Sequence, residues 1–104
     1  MKRLELSDIP LALDNLREWL NGKTEFSSHD FIRRFATVAE EQYVRMLYDC
    51  VEKGDEHPFQ TVHMQIGREL ERLQAELGIE KTDRKMSTNI FGNEDEVQFW
   101  SFTG

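Results

Sequence analysis

The hydrophobic period of this chain changes at Gly78, and that change narrows the folds open to it. Before Gly78, apolar residues recur at steps of three and four. Ile9, Leu13, Leu16 and Leu20 make one stripe, and Val62, Ile66, Leu70, Leu73 and Leu77 make another. After Gly78 they alternate. Met86, Thr88 and Ile90 form one series and Val97, Phe99 and Ser101 a second, with Gly92-Asn93-Glu94-Asp95 as the turn between them. This pattern predicts an α+β fold of three to four helices followed by a C-terminal β-hairpin, with residues 85–91 paired to 96–102. Phe99, Trp100 and Phe102 put apolar groups on both faces of the second strand. One face is expected to pack on the helices, and the other against the N-terminal segment or a partner.

The helix boundaries are signalled locally. Pro10 suits a first turn, with Ser7 or Asp8 as cap and Gly22 as the left-handed stop of a helix over residues 10–21. Phe26-Ser27-Ser28-His29-Asp30-Phe31 has the form of a capping box inside a hydrophobic staple. Thr37-Val38-Ala39-Glu40 offers a second box, so the stretch after Ser27 is one jointed helix or two. Tyr43, Leu47, Cys50 and Val51 continue its apolar face, and Gly54 ends it. Asp55-Glu56-His57-Pro58 is a turn, and a long helix follows over residues 59–77. Gly67 lies within it, where close approach of the Phe31–Phe35 block would account for a missing side chain.

One domain over residues 1–104 is expected from a length of 104. Twenty acidic residues against thirteen basic ones leave a net charge of -7, which argues against a generally basic nucleic-acid wrapper or a binder of anionic membranes. A single cysteine excludes an internal disulfide framework, and no apolar run approaches a membrane span. A cytoplasmic location is the expectation.

Little in the chain points to catalysis. Ser28, His29 and Asp30 have triad chemistry, but neighbours on a helix point about 100° apart, and capping explains Ser27 and Asp30. Cys50, His57 and His63 fit no zinc spacing. Arg33 and Arg34 are expected to ion-pair with Asp30 or Glu40 rather than to hold phosphate. No catalytic, cofactor or metal-binding residue is assigned.

Three helical blocks and a terminal hairpin resemble a winged-helix domain. Lys23-Thr24-Glu25-Phe26 resembles its short strand between the first helices. Leu73-Gln74-Ala75-Glu76-Leu77-Gly78-Ile79 looks like the end of a recognition helix entering the first wing strand, and Phe99-Trp100 resembles the aromatic return strand. The resemblance implies a DNA-binding or transcription-associated regulator, and a homodimer is expected because one weakly basic module would bind poorly alone. Gln65 and Arg68 would read base edges, Thr61 would hold a phosphate, and Arg72, Arg84 and Lys85 would position the backbone. The chain's acidity and the tip Asn93-Glu94-Asp95-Glu96 carry the alternative, a protein–protein interaction module that binds no nucleic acid. Convergence of the arginines and lysines on one face would favour DNA; dispersion would favour a protein partner.

Overall fold

The computed structural model describes residues 8–103. It is α+β: five helices and one three-stranded antiparallel sheet, ordered α1 (Ile9–Leu20), β1 (Glu25–Ser27), α2 (Ser28–Val38), α3 (Glu40–Glu52), α4 (Pro58–Arg72), α5 (Gln74–Leu77), β2 (Ile79–Thr88) and β3 (Glu94–Phe102). The apolar stripes named above supply the core. Ile9, Leu16, Phe31, Phe35, Val62, Ile66 and Leu70 are fully buried, and α1 packs mainly on α2 while α4 packs on α3. Asn21 takes the left-handed stop of α1 at φ 50°, one residue ahead of Gly22. Asp8 precedes α1 without a side-chain cap bond, and Ser7 lies outside the described residues.

The capping box at α2 forms in full. The Asp30 amide donates to Ser27 Oγ and the Ser27 amide donates to Asp30 Oδ2, each at 3.0 Å, with Phe26 and Phe31 both buried. The second box does not form. Thr37 Oγ1 donates back to the Arg33 carbonyl at 2.8 Å, and the chain breaks into α2 and α3 at Ala39, whose backbone leaves the helical region (φ -114°, ψ 48°). The apolar face of α3 is also narrower than expected. Tyr43 and Met46 are buried, Leu47 and Cys50 half-buried, and Val51 exposed. The long fourth helix stops at Arg72, and a separate turn, α5, runs to the left-handed stop at Gly78.

The sheet order is β1-β3-β2, so the last strand lies centrally. Phe26 pairs with Trp100 across β1 and β3, and Ile79 pairs with Phe102 across β2 and β3. Strand β2 begins at Ile79 rather than near residue 85. Its first half, Ile79-Glu80-Lys81-Thr82-Asp83-Arg84, shows no apolar alternation because it is an edge strand that buries only Ile79. One extra residue is accommodated in β2 between Lys81, opposite Trp100, and Arg84, opposite Gln98. The Gln98 side-chain amide ties this bulge down, donating to the Thr82 and Asp83 carbonyls at 3.2 and 3.3 Å. In a regular strand Lys81 and Arg84 would face opposite sides. The bulge turns both to the side of Gln98 and Trp100. Among the described residues no helix is long and apolar enough to cross a membrane.

Candidate functional site: the groove between α4 and the hairpin

The turn before α4 is sealed by Asp55. Its carboxylate accepts from the His57 amide at 2.8 Å and from the Thr61 hydroxyl. The Thr61 hydroxyl and the His57 amide hold the Asp55 carboxyl below its usual range. The first turns of α4 then meet the hairpin loop. Phe59 and Phe91 contact edge to face at 4.8 Å, and the His63 ring lies 6.4 Å from Phe91 and 5.9 Å from Tyr43. Asn89 shapes the loop that carries Phe91. Its Oδ1 accepts from the Phe91 and Asn93 amides at 2.9 and 3.0 Å, and Gly92 takes φ 83°. Arg33 donates to the Asn89 carbonyl at 3.4 Å, and Arg34 lies 5.7 Å from the Trp19 ring centre, so the dibasic pair bonds neither Asp30 nor Glu40.

Behind this contact lies a cavity of about 850 Å³. Ile32, His29 and Trp100 form its floor, Gln60, Met64, Gly67, Arg68 and Glu71 its α4 wall, and Lys81, Arg84, Asp95, Val97 and Gln98 its hairpin wall. All three histidines of the chain line it. His63 Nε2 and the Tyr43 hydroxyl are 2.7 Å apart. Burial, reinforced by nearby His29, pushes the His63 pKa down to about 4, and burial raises that of Tyr43 to about 12. His29 is also lowered by burial, against opposing pulls from Asp95, the Ser87 carbonyl and Asp30. His29, His63 and Tyr43 are therefore uncharged at neutral pH.

Of the six residues assigned to DNA contact, the groove gathers two, Arg68 and Arg84. Thr61 is spent on Asp55. Gln65 is half-buried and does not line the groove. Arg72 is ion-paired with Glu69 at 2.6 Å, and Lys85 with Glu25 at 2.7 Å, its ammonium 4.4 Å from the Phe99 ring centre. Helical geometry explains the misses. At 100° per residue, Thr61, Gln65 and Arg72 flank the buried Val62–Ile66–Leu70 stripe on one side, and Gln60, His63, Gly67 and Glu71 flank it on the other. Met64 and Arg68 lie farthest from the stripe. The hairpin folds over the second flank. Sequence periodicity locates the buried stripe but not which flank a distant strand will face.

Ser28 is not part of a hydrolytic chain. Its hydroxyl donates to the Gln98 carbonyl and accepts from Trp100 Nε1, each at 3.0 Å. Among the described residues no three His, Cys, Asp or Glu side chains gather closely enough to hold a metal ion. Gly67 meets no close neighbour either: a Cβ built there finds nothing within 4 Å, so helix crossing does not explain it. Gly67→Ala is accordingly expected to stabilise the protein by about 0.5–1 kcal/mol through helix propensity, raising Tm by about 3–5 °C. A lowered Tm in a thermal melt would show that the position needs glycine for packing.

Comparison with protein-family models, with curated proteins and with solved structures finds no match.

Proposed function

We propose that this is a non-enzymatic, winged-helix-like binding domain whose working surface is the groove between α4 and the β2–β3 hairpin, and that a protein occupies that groove. The winged-helix reading is supported by the element order and by the sheet order β1-β3-β2, with the short strand on the far side of the hairpin. In that reading α4 is the recognition helix and the hairpin is the wing. The observation that carries the choice of partner is the internal neutralisation of the nearby cations. Lys81 pairs with Glu71 at 2.6 Å, Arg84 with Glu96 at 3.3 Å, Arg72 with Glu69 and Lys85 with Glu25. A phosphate backbone would have to displace each carboxylate before it gained a counterion. The exposed residues Glu94, Asp95 and Glu96 extend the repulsion to the hairpin end.

A DNA reading retains one observation in its favour. Arg68 is exposed, lines the groove and makes no ion pair among the described residues. The two readings separate in a titration of the protein against a fluorescein-labelled random duplex at about 50 mM salt, where non-specific DNA binding is strongest. No change in anisotropy is expected. A measurable affinity that weakens as salt is added, and weakens further in Arg68→Ala, would replace the protein partner with DNA.

A further inference from the structure

The groove has the cross-section of an extended chain, and its α4 wall is left open at one position. Phe59, His63, Met64, Gly67 and Glu71 line it turn after turn. The rise of α4 from Phe59 to Glu71 is about 18 Å. A volume of about 850 Å³ spread over that length gives a mean cross-section of about 50 Å². A packed β-strand, about 4.8 Å from its neighbour and about 10 Å from the next sheet, occupies the same area. A helix about 10–12 Å across needs about 80–110 Å². At about 3.3 Å per residue, about five extended residues span the groove. Met64 and Arg68 on one rim and Arg84 and Asp95 on the other are exposed, so the side between α4 and the hairpin is open to solvent.

Gly67 stands midway along the α4 wall. A Cβ there would meet nothing within 4 Å, although glycine inside a helix costs about 0.5–1 kcal/mol relative to alanine. No element of the fold uses the gap. Beside it, Arg68 makes no ion pair among the described residues, whereas Lys81 and Arg84 are paired with Glu71 and Glu96. Across the groove, the Asp95 carboxylate already accepts from the Glu96 amide at 2.9 Å. We propose that the occupant of the groove is an extended segment of the partner protein, about five residues long, whose main chain passes Gly67 and which sets a carboxylate against Arg68. The assignment rests on the protein-docking reading above. Gly67 is then a specificity-determining position, where glycine serves the occupant and not the fold.

The probe is a phage-displayed library of random linear peptides selected on the full chain, from which enriched sequences are synthesised. Enriched peptides are expected to share an Asp or Glu, to shift the amides of Met64, Gly67, Arg68 and Val97, and to show extended-chain nuclear Overhauser contacts when bound. Gly67→Ala should weaken their binding even as it raises Tm, and Gly67→Leu should weaken it by at least about tenfold. A position needed only for packing would lose Tm together with affinity. Arg68→Ala should weaken an acidic peptide about threefold and leave its Asn or Gln counterpart unchanged. If Gly67→Leu does not fold, Gly67→Ala carries the test. Failure to enrich any peptide, or binding indifferent to both Gly67 variants, would overturn the proposal. Peptides that bind the groove as helices would overturn the extended occupant and leave the docking reading standing. Peptides that shift only amides away from the groove would overturn the docking reading as well, and the duplex titration tests that reading without touching Gly67.

Discussion

Trp100→Ala is expected to remove about 3–5 kcal/mol from the free energy of unfolding, a large share of what holds a domain of this size together. Trp100 is 1% exposed and stands on the central strand, opposite Phe26 on one side and Lys81 on the other. Its Nε1 donates to Ser28 Oγ at the start of α2. Truncation therefore opens a cavity where the sheet, α2 and the groove floor meet, and it strips the acceptor Ser28 of its donor. Trp100→Phe keeps an aromatic ring and loses the hydrogen bond, so a smaller loss of about 1–2 kcal/mol is expected. Urea unfolding followed by circular dichroism measures both. Trp19 is 54% exposed and leaves a fluorescence signal in either variant. A loss below about 1 kcal/mol for Trp100→Ala would mean that the sheet contributes little to the core.

Acid is expected to destabilise the protein well above the range in which carboxylates titrate. The folded state holds His63 near pKa 4 against 6.5 for a free imidazole, and His29 is lowered as well. A depressed histidine favours the folded state fully above pH 6.5. That contribution is lost as pH falls toward the folded pKa, because the unfolded chain takes up the proton first. Allowing for partial solvent screening, His63 accounts for a loss of about 1–2 kcal/mol between pH 7 and pH 5. Tyr43, the partner of His63, stays neutral throughout, and Glu25 and Asp55, whose carboxyls are held low, add their own losses only at lower pH. Denaturant midpoints measured across this range should fall with pH, and His63→Phe should flatten the slope whatever it does to the midpoint at neutral pH. An unchanged slope in that variant would show that His63 is protonated without cost in the fold.

The local signals translated faithfully where their partners were close in the chain. Ser27 and Asp30 are three residues apart, so their reciprocal cap depends on nothing distant, and it forms as the sequence implies. Gly78 stops a helix by its own backbone freedom at φ 69°. The second box at Thr37 does not form because α2 continues through Val38 and the cap position of α3 falls on Ala39, which leaves Thr37 inside a helix with its hydroxyl bonded back to the Arg33 carbonyl. Strand β2 was legible only in part. An edge strand that buries one residue leaves no alternation to read, and its first half is held by β3, not by its own pattern.

From the sequence alone follow the helical stripes, the switch of period at Gly78 and therefore the α+β class, since these depend on apolar spacing along one element. The groove belongs to the tertiary structure. His29, His63 and Arg84 come from α2, α4 and β2 and Phe91 from the hairpin loop, and a bulge one residue long decides that Lys81 and Arg84 share a face. Pairing across separations of 12 to 60 residues neutralises Arg84 and Lys85. Periodicity records which face of an element leaves water. Which flank then meets a distant strand is decided by packing, which no local pattern encodes.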